Sequence, residues 1–200
     1  RNTTTGYGNS ATGYQALYRN TSGYYNVANG FQPLYSNTSG HDNVALGYRA
    51  LYSNTTENYM VAIGYNALTA NTGGTSNTAV GASALADNTS GYANVAMGNN
   101  ALRDNDDGYS NTAVGYNALR SNVGGYSLTA IGRDAGINGA GFNLFCTAVG
   151  ANAQVSSAGC LVLGAIAGVN GHTFGNTKVG IGTTAPAFPL DVVGLAIQGN

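Results

Sequence analysis

Cys146 and Cys160 stand 14 residues apart in matching contexts, "CTAVG" and "CLVLG". Two cysteines can close a disulfide or ligate a metal. Side chains in one slot of neighbouring parallel strands point the same way, however, which does not suit disulfide geometry. Cysteine is also a small apolar residue that packs well, so both thiols are expected to be free and shielded. Neither His41 nor His172 lies within a few residues of a cysteine. No nucleophile is set beside them, as catalysis would require. His41-Asp42 takes the place that Tyr24-Tyr25 fills elsewhere, a surface turn. "RDNDDG" (Arg103–Gly108) has the acid spacing that opens a calcium loop but not the distal glutamate that closes one. It aligns with "RNTSG" and "SNTSG" and reads as a diverged turn.

Threonine, asparagine and tyrosine recur more regularly. Thr21, Thr38, Thr55, Thr72 and Thr89 form a column that suggests ice binding. A flat ice-binding face needs two parallel threonine columns on a strand, whereas this single one follows a turn asparagine. Asn20-Thr21-Ser22, Asn37-Thr38-Ser39, Asn54-Thr55-Thr56 and Asn88-Thr89-Ser90 match the glycosylation sequon. Asparagine keeps its place at Asn71, Asn105 and Asn122, where no sequon exists. Turn geometry accounts for the column better, because asparagine accepts left-handed backbone and bonds to its own chain. All 14 tyrosines precede Leu128; Tyr18, Tyr35 and Tyr52 share one slot, and Tyr14, Tyr48, Tyr65 and Tyr116 another. Such columns brace the edges of neighbouring units as aromatic ladders, or offer aromatic surface to glycans. No set converges on a catalytic centre, so no enzyme, metal site or cofactor is expected.

The elements that position these residues follow from the spacing. Glycine recurs at Gly13, Gly30, Gly47, Gly64, Gly81, Gly98, Gly115 and Gly132, each step 17. Asn20, Asn37, Asn54, Asn71, Asn88, Asn105 and Asn122 keep the same step. So do alanine, from Ala11 to Ala130, and leucine, from Leu17 to Leu119. Four columns in phase specify a solenoid-type array of stacked coils. The next column glycine, Gly150, arrives one place later than this step predicts, and Gly164 then comes three places early. Residues 1–132 are therefore 17-residue repeats and 133–182 irregular and 14-residue repeats; 183–200 is a connector holding Pro186 and Pro189. The chain opens on "RNTTTGYGNSATG", already inside a repeat, and reads as part of something longer.

Glycine, turn clusters such as "SNTSGYYN" and many β-branched and aromatic residues disfavour helix and favour strand. Two turns in each unit predict two short strands per coil, stacked with their neighbours into parallel sheets. The first strand, as in Val44-Ala45-Leu46, Val61-Ala62-Ile63 and Thr112-Ala113-Val114, is apolar or small on both faces. A strand covered on both faces reads this way. One face packs on its own coil; the other is most simply covered by another copy of the chain. The expected core and contact residues are Ala45, Leu46, Ala62, Ile63, Ala79, Val80, Ala96, Met97, Ala113 and Val114. The second strand, as in Tyr48-Arg49-Ala50-Leu51, carries a polar residue in most units and should present a wet face. A net charge of −1 leaves no basic footprint for nucleic acid. No apolar run approaches the roughly 20 residues of a membrane span.

"CTAVGANAQVSSAGCLVLG" resembles the 14-residue unit of the YadA-like head of trimeric autotransporter adhesins. "NTAVGYNALRSN" resembles the longer variant in tail-fibre and surface-fibre proteins of phages and bacteria, and "KVGIGTTAPAFPLDVVG" the segment that follows such repeats, leading towards a coiled coil or a self-cleaving chaperone. The resemblance implies a left-handed parallel β-roll that trimerises about a threefold axis, with the column alanines and the flanking Val, Ile and Leu in the inner layer. It also implies a non-enzymatic extracellular fibre, on a cell surface or a virion, whose partners are two further copies and a host-surface glycan or protein receptor. An ice- or surface-binding β-solenoid is the alternative from another class.

Overall fold

The computed structural model describes residues 5–137, 145–164, 179–181 and 190–192. Regular structure among them is entirely β. Each 17-residue unit contributes one three-residue strand: β1 (Ser10–Thr12), β2 (Val27–Asn29), β3 (Val44–Leu46), β4 (Val61–Ile63), β5 (Thr78–Val80), β6 (Val95–Met97), β7 (Thr112–Val114) and β8 (Thr129–Ile131). Two dipeptide strands, β9 (Gly136–Ile137) and β11 (Gln154–Val155), alternate with β10 (Thr147–Val149) and β12 (Leu161–Leu163). Strands β1 to β8, then β10 and β12, lie side by side in one ten-stranded parallel sheet. The nine intervals between them span roughly 43 Å at about 4.8 Å each.

The register follows the repeat. Ala28 pairs with Ala45, Ala45 with Ala62 and Ala62 with Ala79, and the longer and shorter steps that follow keep it, with Ala148 between Ala130 and Val162. The column alanine is the middle residue of its strand and is buried from Ala28 to Ala148, while the residues on either side of it point outward. Backbone bonds between coils continue past the strand ends, as from Val44 N to Met60 O at 2.8 Å and from Gly64 N to Leu46 O at 2.8 Å.

The expected second strand is absent from the 17-residue coils. Tyr48-Arg49-Ala50-Leu51 and its counterparts are turns, because Arg49 and Leu51 both have φ of 51°. The left-handed conformation recurs at every column leucine from Leu17 to Leu119, and at the polar residue two places earlier. Left-handed backbone costs an L-residue about 1–2 kcal/mol. Here full burial of Leu34, Leu51, Leu68, Leu85 and Leu102 offsets it, since the twist turns each side chain inward. The turns still bond coil to coil, with Leu51 N donating to Ala67 O at 3.0 Å and Asn66 N to Tyr48 O at 2.9 Å. Among the described residues a second strand forms only where the repeat changes, as β9 pairs in parallel with β11. Of the connector, only the backbone of β14 (Leu190–Val192) falls among the described residues, and it pairs in parallel with β13 (Val179–Ile181). The rest of 183–200, with Pro186 and Pro189, and His172 lie outside them.

The interior also holds a buried polar layer, nearly all of it asparagine. Asn20, Asn37, Asn54, Asn71, Asn88 and Asn105 are fully buried and form a ladder. Each Nδ2 from Asn37 to Asn122 donates to the Oδ1 of the asparagine one coil earlier, at 2.7–3.3 Å. Each also donates to a carbonyl three residues on, as from Asn37 to Gly40 O at 3.0 Å. None of these asparagines has positive φ, so the expectation of left-handed asparagine is corrected: leucine takes that conformation, and asparagine is retained for its amide. A second ladder, Asn26, Asn43, Asn77, Asn94 and Asn111, escaped the sequence reading. There Oδ1 accepts from a backbone N–H one coil on, as from Asn43 N to Asn26 Oδ1 at 3.1 Å, and Nδ2 donates to a carbonyl 14 residues on, a glycine's in most coils, as from Asn26 to Gly40 O at 2.8 Å and from Asn43 to Glu57 O at 2.9 Å. Its signal was legible as asparagine directly before Val-Ala or Thr-Ala at the period of the repeat.

Candidate functional site

The outward positions of the ten-stranded sheet form a surface that repeats on every coil and carries no charge. The first outward column reads Ser10, Val27, Val44, Val61, Thr78, Val95, Thr112, Thr129, Thr147 and Leu161. The second reads Thr12, Asn29, Leu46, Ile63, Val80, Met97, Val114, Ile131, Val149 and Leu163. The two columns lie about 6.6 Å apart across the strand. From β3 onward the second is wholly apolar, and its exposed members range from 36% for Ile63 to 46% for Met97 and Leu163. An uncharged apolar stripe of this length is uncommon on the surface of a soluble monomer.

The structure divides the expected contact residues by direction. Ala45, Ala62, Ala79, Ala96 and Ala113 are fully buried inside their own coil. Leu46, Ile63, Val80, Met97 and Val114 face outward. The expected core and contact residues thus separate into an inward alanine column and an outward column of larger side chains. A three-residue strand alternates its faces, and the middle residue goes inward.

The turn glycines set the corner beside this face. Gly13, Gly30, Gly47, Gly64, Gly81, Gly98, Gly115, Gly132 and Gly150 have φ between 112° and 140°, and Gly164 has 85°. At Gly81 a Cβ would stand 2.5 Å from Gly98 O and 2.6 Å from its carbonyl carbon, so the stacking itself excludes a side chain.

No family model, curated protein or solved structure matches the chain. Its functional surfaces are therefore read from geometry.

The remaining candidates sit apart from the stripe. Tyr14, Phe31, Tyr48 and Tyr65 stack at centroid distances of 5.0–5.1 Å, and Tyr18, Tyr35 and Tyr52 at 5.4 and 5.1 Å. Each interior ring has both faces against another ring, leaving edges and hydroxyls to solvent and little open face for a sugar. Arg49 bridges two of these ladders, with its guanidinium carbon 5.6 Å from the Tyr48 ring centre and 4.8 Å from that of Tyr52. Tyr7, Tyr24 and His41 stack in another column, Tyr59 of the neighbouring slot meets His41 edge-on at 5.5 Å, and His41 Nδ1 lies 2.9 Å from Asp42 Oδ2. In the threonine column, Thr21 Oγ1 donates to Thr38 O at 2.9 Å and Thr38 Oγ1 to Thr55 O at 3.0 Å, so these hydroxyls bond to the neighbouring coil.

Neither cysteine is disulfide-bonded; Cys146 is buried and Cys160 half-buried, so shielding is complete only for the first. Cys146 Sγ donates to Ser157 O at 3.3 Å. Asp104, Asp106 and Asp107 lie in the turn read from "RDNDDG", and no group of three or more metal-ligating side chains is assembled among the described residues. No helix there is long and apolar enough to cross a membrane.

Proposed function

We propose that the chain is a segment of a homotrimeric extracellular fibre, a left-handed β-roll that holds an attachment end away from a cell or virion surface. The observation that carries the reading is the outward stripe of β3 to β12: apolar, uncharged and continuous along the array. Burying it around a rotation axis gives every chain the same environment, as closed cyclic symmetry requires. The choice of three copies rests on the resemblance to YadA-like heads and fibre repeats. Attachment to a host glycan or protein receptor rests on the same resemblance, and the chain's own part is mechanical.

Ice binding is the weaker reading. The outward threonines Thr78, Thr112, Thr129 and Thr147 make a single column interrupted by Val95, and the column beside it is apolar from Leu46 onward. Sedimentation equilibrium or light scattering at micromolar concentration tests the fibre. A threefold mass is expected. A folded monomer overturns the assembly, and a dimer overturns the axis. Thermal hysteresis in the absence of trimers would favour the ice-binding alternative.

A further inference from the structure

We propose that the tyrosine stacks are sites of oxidative coupling, at which a peroxidase-type one-electron oxidant working with hydrogen peroxide joins phenols of successive coils as dityrosine. The repeat places equivalent tyrosines in one slot, and backbone bonds between coils hold the slots in line. Ser110 N donates to Tyr92 O at 3.0 Å and Ser127 N to Tyr109 O at 3.1 Å. The rings of Tyr92, Tyr109 and Tyr126 consequently stack at 4.8 and 4.7 Å with interplanar angles of 4°. Tyr18, Tyr35 and Tyr52 repeat the arrangement at 5.4 and 5.1 Å, with 6° and 7°. Tyr92 and Tyr18 are nearly half exposed, so an oxidant can reach the stacks from solvent. The chain has no tryptophan, which leaves tyrosine as its most readily oxidised aromatic residue.

The chemistry balances without a cofactor in the chain. Each of two phenols gives up one electron and one proton, and the unpaired electron spreads to the ring carbons ortho to oxygen. Two such carbons form one C–C bond as the rings turn about their Cβ–Cγ bonds. Each ring then regains aromaticity by losing its ortho hydrogen as a proton and reprotonating its oxygen. Two tyrosines lose two hydrogens in all, and one hydrogen peroxide is reduced to two waters. A partner already held one coil away replaces a bimolecular encounter with an intramolecular one. The product ties coil to coil covalently along the array, whether or not the chains trimerise.

Trypsin makes the test direct. Arg103 and Arg120 put Tyr92, Tyr109 and Tyr126 on three different tryptic peptides, and Arg19 and Arg49 do the same for Tyr18, Tyr35 and Tyr52. The full chain, co-refolded from unlabelled and ¹⁵N-labelled protein, is treated with horseradish peroxidase and hydrogen peroxide, digested and examined by mass spectrometry. Links between same-slot tyrosines of adjacent coils, each of a single isotopic label, are expected. Tyr116 is exposed, but its neighbours one coil away are Asn99 and Arg133, so it should be missing from them. Tyr109→Phe should abolish both links in its stack and spare that of Tyr18 with Tyr35. Tyr126→Phe should spare the link of Tyr92 with Tyr109. Mixed-label links only, Tyr116 foremost among the coupled residues, or equal yields from protein unfolded in urea would overturn the proposal.

Discussion

Gly81 and Asn71 show how single residues are constrained by the coil above and below. Gly81 has φ of 136°, and a side chain there would meet the backbone of Gly98. Gly81→Val should lower stability by about 1–3 kcal/mol from backbone strain alone, read by chemical denaturation; wild-type stability would contradict the role assigned to the turn. Asn71 Nδ2 donates to Asn54 Oδ1 at 3.3 Å and to Gly74 O at 2.9 Å, and its Oδ1 accepts from Asn88 Nδ2 at 3.0 Å. Replacing it with leucine strands buried partners, each costing about 1–3 kcal/mol. Asn88→Leu should cost less, because Gly91 O also accepts from Asn77 at 2.7 Å, whereas Met60 stands where the corresponding second donor to Gly74 O would be. Equal losses for the two variants would show that the second ladder contributes nothing. The first asparagine column, Asn20 to Asn122, was legible in the sequence, but its turn reading assigned the left-handed backbone to the wrong residue. Composition favours asparagine in that conformation; only packing reveals that leucine gains enough burial to accept it.

Successive coils meet as stacked ladders that govern titration, while burial within a coil governs thiol access. Burial, then the neighbouring phenols of Tyr126 and Tyr92, push the Tyr109 hydroxyl above its ordinary value of 10.0. The unfolded chain therefore loses this proton first. The stabilising contribution is complete below about pH 10 and is lost as pH rises through the folded value. Wild-type protein should lose more stability than Tyr109→Phe on going from pH 9 to more alkaline solution, measured by urea denaturation; parallel losses would argue against the ladder as the cause. In the neighbouring 14-residue coils, Cys160 should be alkylated faster than Cys146 in native protein, because Cys146 is buried and Cys160 is not. Mass spectrometry after timed alkylation reads the order, and a linkage between the two would contradict the absence of a disulfide.

Two adjacent substitutions on β5 separate folding of the coil from the proposed assembly of copies. Ala79 points into its own coil, and Val80 points out onto the stripe. Ala79→Asp buries an unpaired carboxylate and should prevent folding at any protein concentration. Val80→Asp should leave the coil able to form but weaken the proposed trimer, so its melting point should rise more steeply with protein concentration than that of wild type. Asn117→Asp, on the polar column away from the stripe, should change oligomeric mass little. Circular dichroism with sedimentation distinguishes the three; identical behaviour of the two β5 variants would remove the distinction between core and contact face.

The sequence by itself determined the period, the parallel stacking, the turn glycines and the slots shared by equivalent residues. Each of these is one feature repeated in phase, and a repeated feature survives in a linear string. What it left open was direction. Val44-Ala45-Leu46 is apolar at all three positions, so no alternation of polarity tells its faces apart. Tyr48-Arg49-Ala50-Leu51 has the composition of a strand and becomes a turn, because the coil must close within a single repeat and bends here through left-handed Arg49 and Leu51. Those choices belong to the tertiary structure, where the volume inside one coil admits the strand alanine, the turn leucine and two asparagine ladders and leaves the residues flanking that alanine outside.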